Sequence, residues 1–286
     1  MTDDWFFAGK RAIVTGGASG IGRAVVTQLV RMGTKVWSLD VSGQDDGPSP
    51  LMVPVALDLM DGAATQAWLD GVAAEEPIDF VVNAAGVSPL RETLERVVGI
   101  DFLALHRICS WAAPRLEAGG AIVNVASVAG IYDAHTEIAE VLIEAADLAL
   151  ADDASGAAGS AGFFTTANAR IDGPGIAYAY AKRAVILLTM RIAAQQAGRQ
   201  VRANSTSPHA AATPMHYAIK RNEPEMYERA KMTSTFGGRW SSPDEQADVV
   251  LFLLGPRSTY VSGVNLLVDG GWYAAMQTTS PELTQH

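Results

Sequence analysis

The sequence carries a single cysteine, Cys109. One thiol can form neither an internal disulfide nor a thiolate metal cluster. Its surroundings, LHRICSW, read as a partly apolar helix, which fits a buried small hydrophobe better than a reactive thiol. Positive charge is also scarce: 21 Lys and Arg face 31 Asp and Glu, for a formal net charge of −10. Nucleic acid or an anionic membrane would require a basic patch, so neither is expected as a partner. No stretch of about 18 uncharged apolar residues occurs, and no membrane span is expected. The opening MTDDWFFAGK has an acidic start and only a short apolar patch, which does not read as a secretory leader. A cytoplasmic location is the resulting expectation. No internal repeat is visible.

What is present points to one large α/β domain spanning 1–286. A chain of 286 residues buries roughly three quarters of its unfolded surface and needs no disulfide or metal staple. Hydrophobic residues make up 49% and charged residues 18%, inside the globular range. Short apolar runs alternate with helical patterns. Strands are expected at Arg11–Thr15, Lys35–Asp40, Leu51–Leu57, Phe80–Asn83 and Ala121–Ala126, with helices over Ile21–Arg31 and Ala63–Ala74. This alternation predicts a Rossmann-type, doubly wound parallel sheet with helices on both faces. Residues 42–50 (SGQDDGPSP) read as a surface loop.

The segment from about 133 to 175 departs from the alternation and reads as a helical insertion within the same domain. TEIAEVLIEAADLALADD is amphipathic, with Ile138, Val141, Leu142, Ala145, Leu148 and Ala149 expected on the buried side. The small-residue stretch ASGAAGSAG reads as a loop, and Phe163 and Phe164 follow it.

The first strand runs into Thr15-Gly16-Gly17-Ala18-Ser19-Gly20-Ile21-Gly22 and then a helix. Strand, glycine turn and helix form the arrangement of a dinucleotide site. Glycine permits the tight turn and lets backbone N–H groups approach a pyrophosphate at the positive end of the helix. Such a turn can also be purely structural, so the other strand ends matter. Asp40 ends the second strand, where a carboxylate can accept both ribose hydroxyls and repel a 2′-phosphate. NAD is therefore expected over NADP. Asp58 and Leu59 follow the third strand and suit the adenine edge. Asn83, Ala84 and Gly86 end the fourth, where small residues let a cofactor pass close to the backbone. All lie at strand carboxyl ends, where open α/β sheets bind ligands.

With these motifs in place the chain resembles the short-chain dehydrogenase/reductase family. The matches are the TGGASGIG turn, Asp58, NAAG at 83–86, Ser127 in NVASVAG, and Tyr178-Ala-Tyr-Ala-Lys182. Asn204 in VRANSTSP, Thr213-Pro214 and GVNLLVDGG at 263–271 complete the set. They occur in the family's order along nearly the whole chain. The insertion and the DGGWYAAMQ ending look similar to the bacterial 3α-hydroxysteroid dehydrogenase/carbonyl reductase subgroup, which includes coniferyl-alcohol-type dehydrogenases.

The resemblance implies that Tyr178 is the acid/base. Lys182 follows four residues later on the same helix face. A free phenol, with a pKa of about 10, is a poor base near neutrality, and a nearby cation favours its phenolate. Tyr180 competes for the role, but Ala184 stands four residues after it. The resemblance also has Lys182 hold the nicotinamide ribose, Ser127 stabilise the substrate oxygen, and Pro208 and Thr213 meet the nicotinamide end. The long separation of Ser127 and Tyr178 requires the insertion to loop out and return.

Two residues depart from the family pattern. Asp101 stands where many members carry an asparagine assigned to a proton-relay water, and is kept as a catalytic candidate. His209 follows Pro208 where the family has glycine, and either reshapes the nicotinamide loop or reaches the substrate. The lid expected over 213–240 contains Met215, Tyr217, Met226, Tyr227, Met232, Phe236 and Trp240, which suits an apolar pocket. Phe163 and Phe164 are candidates for another wall. The expected reaction is hydride transfer between NAD and a hydrophobic secondary or aryl alcohol or ketone. The steroid, terpene and aromatic classes remain open. A non-catalytic NAD(H)-binding sensor or assembly protein on the same fold is the alternative. Arg239, Pro243 and Glu245 are expected to support the fold, and the family resemblance implies a homo-oligomer, a dimer or tetramer.

Overall fold

The computed structural model describes residues 4–42, 49–75, 77–151, 158–225, 228, 236 and 238–278. Seven strands form one parallel sheet in the order β3-β2-β1-β4-β5-β6-β7. They are β1 (Arg11–Thr15), β2 (Lys35–Asp40), β3 (Met52–Ala56), β4 (Phe80–Asn83), β5 (Ala121–Val125), β6 (Arg202–Pro208) and β7 (Asn265–Val268). The first five follow the apolar runs of the sequence, with β3 one residue shorter at each end than expected. β6 and β7 extend the sheet through the stretches that carry Asn204 and VNLLV. The central strands β4 and β5 are buried along their whole length, as strands covered on both faces must be.

Helices sandwich this sheet. On one face α1 (Asp4–Phe7), α2 (Gly20–Arg31) and the helix Pro243–Leu254 close a core of Phe7, Val25, Leu29, Phe80, Val250 and Leu254. On the other, α3 (Gly62–Glu75), α4 (Leu94–Val98), α5 (Leu105–Ala112) and the long α8 (Pro174–Gln196) enclose Ile13, Leu69, Phe102, Ile108, Ile122 and Val185. Between α4 and α5 the residues Gly99–Ala104 wind as a fully buried π-helical segment. Such segments interrupt a helix frequently at functional sites. Among the described residues no helix is long and apolar enough to cross a membrane. Ser242 caps the helix Pro243–Leu254 in a reciprocal capping box with Glu245, and Arg239 grips the same carboxylate with two hydrogen bonds of 2.7 and 2.8 Å.

The insertion folds as two helices, α6 (Thr136–Ala151) and α7 (Ala158–Arg170), packed on each other, with α6 against α8 and α7 against α4. Residues 158–162, expected as loop, begin α7; 152–157 and most of the expected 42–50 loop lie outside the described residues. The buried face of α6 is also rotated from the expected one. Leu142, Ala145 and Ala149 are inside as expected, but so are Ala139, Ile143 and Ala146, whereas Leu148 is 66% exposed. The helix is apolar on more than one side, so its pattern alone does not choose the face. Its neighbours do: Asp147 is drawn to Arg191 of α8 at 2.6 Å and to His106 of α5 at 3.0 Å, which turns Leu148 outward.

Candidate active site

From β1 the chain runs outward through β2 to β3, and from β4 it runs outward the other way through β5 and β6 to β7. The crevice lies where the winding reverses. In register, Thr15 stands beside Leu39 and Asn83, and Val125 beside Thr206, so these strand ends share one edge. A cavity of about 400 Å³ opens there. Of the residues expected at the site, all but Gly22 and Asn83 line it.

One half is built by the glycine turn. Gly16 has φ of +69°, and a Cβ on it would stand 2.8 Å from the Ala84 carbonyl oxygen, so only glycine fits this bend against the β4 loop. Gly22 does not face the cavity. A Cβ there would lie 2.2 Å from the Gly16 carbonyl oxygen, so its role is to let α2 approach the turn. Ser19 is the N-cap of α2 and makes no side-chain capping bond among the described residues. The first-turn N–H groups of α2 therefore offer an anion cradle to the cavity. Asp40 accepts the Ala18 N–H at 3.1 Å and the Ser42 hydroxyl at 2.8 Å, which fixes its carboxylate beside the turn. Asp58 accepts the Met60 N–H at 3.0 Å and lies 3.8 Å from Arg96; Leu59 lines the same side.

Asn83 turns inward instead. It is 2% exposed, and its Nδ2 donates to Asn124 Oδ1 at 2.9 Å, while Asn124 donates to Thr189 at 2.9 Å. A strand-end polar residue can point to either face, and here the buried chain across β4, β5 and α8 claims it. Ala84 and Gly86, one and three residues on, line the cavity. Thr15, which the sequence did not single out, shapes this loop: its hydroxyl accepts the N–H groups of Ala84 and Ala85 at 3.2 and 3.1 Å. Asn204 is likewise structural, clasping Val261 and Val264 at the entry to β7.

The other half brings together Ser127, Tyr178, Lys182 and Asp101. Ser127 caps a short turn, Val128–Gly130, and accepts the Ala129 N–H at 3.2 Å. That turn rests on α8: a Cβ on Gly130 would be 2.5 Å from the Lys182 carbonyl carbon. The close approach sets Ser127 and Tyr178 in the wall of the same cavity. Lys182, one helical turn on, places its ammonium 5.5 Å from the Tyr178 ring centre. It donates to the Val125 carbonyl at 3.1 Å and stands 2.9 Å from Asp101 Oδ1. Burial pushes the Tyr178 phenol up, the Lys182 charge and the Ser127 hydrogen bond pull it down, and the Asp101 charge pushes it up again; the balance lies above the ordinary value. Tyr180 packs edge-on against His135, ring centroids 5.1 Å apart, and does not line the cavity.

Beyond Tyr178 the wall is mixed. Pro208, Thr213, Met215, His209 and His216 line it. His209 stacks on Trp272 at 4.7 Å, and His216 meets Trp240 edge-on at 4.9 Å. Burial holds both imidazoles below their ordinary value, that of His216 down to about 4, so both are uncharged at neutral pH. Tyr217 and Phe236 are exposed and, like Trp240, do not line the cavity; Met226, Tyr227 and Met232 lie outside the described residues. Phe163 and Phe164 form no wall of it either. Phe163 is 1% exposed and packs on Phe102 and Phe164, because the insertion needs them to seal its contact with the π-helical segment.

Two family models match successive parts of the chain: short chain dehydrogenase over residues 10–139, and Enoyl-(Acyl carrier protein) reductase over 142–273. Among curated proteins, D-erythrulose reductase of Gallus gallus is 28% identical, covering 95% of this chain and 99% of its own. The 3-alpha-hydroxysteroid dehydrogenase/carbonyl reductase of Comamonas testosteroni is 27% identical, covering 93% and 98%. Among solved structures, the 3-alpha-hydroxysteroid dehydrogenase from Pseudomonas sp. B-0831 complexed with NADH superposes with a TM-score of 0.77 at 29% identity, over 95% of this chain and 100% of that one.

Proposed function

The chain belongs to the short-chain dehydrogenase family, and from that premise we propose that it is an NAD-dependent dehydrogenase/reductase of hydrophobic secondary or aryl alcohols and ketones. The observation that carries the reading is the convergence of Ser127, Tyr178 and Lys182 in one cavity with the glycine turn. The open cradle at the start of α2 and the Asp40 carboxylate suit a dinucleotide without a 2′-phosphate. Gly16, Ser19, Gly20 and Ile21 would hold its pyrophosphate, Asp40 its adenosine ribose, and Asp58 and Leu59 its adenine. Pro208 and Thr213 would hold the nicotinamide end, and Lys182 the second ribose.

Bound there, the nicotinamide supplies the hydride acceptor or donor. Tyr178 takes the hydroxyl proton during alcohol oxidation and returns it to the oxygen during carbonyl reduction. Ser127 holds that oxygen and stabilises negative charge on it. Lys182 supplies positive field beside the phenol. Met215 and Val87 on the cavity wall favour an apolar substrate body. A homo-oligomer, a dimer or tetramer, is part of the reading and rests on the family resemblance.

The test is absorbance at 340 nm with NAD+ and a panel of steroid, terpene, aryl and polyol alcohols. NADP+ is a needed arm, since Arg91 and Arg96 also border the cavity. NADH formation that prefers NAD+, and falls at least a hundredfold in Tyr178→Phe, is expected. Undiminished turnover by Tyr178→Phe overturns the assignment of the base. A preference for NADP+ overturns the role of Asp40, and a preference for polyols the substrate class. NADH binding with no turnover of any alcohol would point to a sensor instead.

A further inference from the structure

The carboxylate of Asp101 is buried inside the protein beside the reacting groups. It lies in the π-helical segment Gly99–Ala104, is 1% exposed, and faces Lys182, itself 4% exposed. Oδ1 stands 2.9 Å from the ammonium nitrogen. Oδ2 accepts the Val87 N–H at 3.1 Å. Gly86 leaves the room for this, because a Cβ there would come within 2.7 Å of Oδ1. The ammonium has three hydrogens; Val125 takes one and Asp101 faces a second. A cation and an anion this close and this dry form a dipole, whose field falls off faster with distance than that of a lone charge.

We propose that Asp101 is a positioning residue that fixes the Lys182 ammonium and opposes its field at the Tyr178 oxygen. The inference rests on the reading of Tyr178 as the acid/base. The directions agree with the geometry. Burial pushes the Asp101 carboxyl above the ordinary value, and the Lys182 charge offsets part of that rise. Burial pushes the Lys182 ammonium down, but the Asp101 charge outweighs this and holds it above the ordinary value. The 2.9 Å approach of the ammonium favours the ionised carboxylate, and beside that charge Tyr178 keeps its proton to higher pH than beside Lys182 alone.

Groups facing Tyr178 from the other elements do not take over this role. Ser127 from the turn after β5 is uncharged. His209 after β6 and His216 on α9 (Pro214–Asn222) are held neutral by burial. Arg91 is solvent-exposed and Asp58 and Arg96 are partly so, so water screens them.

Asp101→Asn keeps the shape and removes the charge, its single amide oxygen accepting from one of Val87 and Lys182 while its NH2 faces the other. Two readouts test the proposal in the full-length chain. The first is tyrosinate absorbance near 295 nm in the cofactor-free protein, with the Tyr178 step isolated by difference from Tyr178→Phe. The second is the acid limb of the pH profile of kcat/KM for alcohol oxidation, with KM for NAD+ recorded beside it. Asp101→Asn should move both toward lower pH by about one unit, a gain of about tenfold in kcat/KM below the limb. Asp101→Glu should restore the wild-type limb in part. If Tyr178 is essential yet neither readout moves, the proposal is overturned while the dehydrogenase reading stands. If Tyr178→Phe remains active, the dehydrogenase reading fails first. The wild-type protein alone also decides: a cofactor-free Tyr178 step well below the ordinary value of about 10 would mean that the Lys182 charge is not offset, even if Asp101→Asn does not fold.

Discussion

His216 carries a pH dependence that can be worked out from its surroundings. Burial is the main reason that its imidazole is held down to about 4, and the neighbouring His209 adds to it. The unfolded chain takes up a proton near 6.5, whereas the folded one does so only near 4. A group depressed in this way contributes stability above the unfolded value, and the contribution is lost as pH falls toward the folded one. The window is therefore pH 6.5 down to 4, and the shift is worth roughly 3 kcal/mol. Melting temperature measured from pH 7 to 4 should fall more steeply in the wild type than in His216→Gln, whose curve lacks this component. Parallel curves would refute it. At the same scale, the identity of Tyr178, Lys182 and Ser127 was legible from motif and spacing, while the inward turn of Asn83 was not. Which face a strand-end side chain takes depends on partners from β5 and α8, and no local pattern announces them.

The insertion shows what periodicity conveys about an element and where it stops. Helix α6 was legible from its apolar spacing, but the residues that bury were not all those expected. A helix turns about 100° per residue, so a modest rotation exchanges one apolar side for another. The ion pairs of Asp147 with Arg191 and His106 set that rotation. Two substitutions of the same chemistry should separate sharply. Leu142→Ala, at 1% exposure, should cost 2–5 kcal/mol through lost burial and the cavity it leaves. Leu148→Ala, at 66% exposure, should stay within about 0.5 kcal/mol. Denaturant unfolding monitored by circular dichroism distinguishes them, and equal losses would mean that α6 presents a different face.

Across the whole molecule, two apolar cores lie back to back on one parallel sheet, and the cavity sits at the sheet edge where elements from both sides meet. Unfolding either core exposes one face of β1, β4 and β5, so the two should melt together. A single calorimetric transition is expected, and two resolved transitions would contradict one domain over 1–286. A dinucleotide held between α2, the β4 loop and α8 binds only the folded chain. NADH at a hundred times its Kd should therefore stabilise the protein by about 2.7 kcal/mol and raise its melting temperature. On the proposed NAD reading, NADPH at equal concentration should do less, because a carboxylate at Asp40 would repel a 2′-phosphate.

The sequence by itself determined the order of strands and helices, the glycine turn, the strand-end acid Asp40, and the Tyr178–Lys182 spacing. These are local properties, set by side-chain period and by conformations that only some residues adopt. The tertiary structure alone decided which of those residues meet. It joined Ser127 to Tyr178 across the insertion, turned Gly22 to helix packing, and seated Phe163 and Phe164 in the core. It also set Asp101 against Lys182. Such contacts depend on the packing of elements remote in sequence, where a rotation of one residue changes every partner.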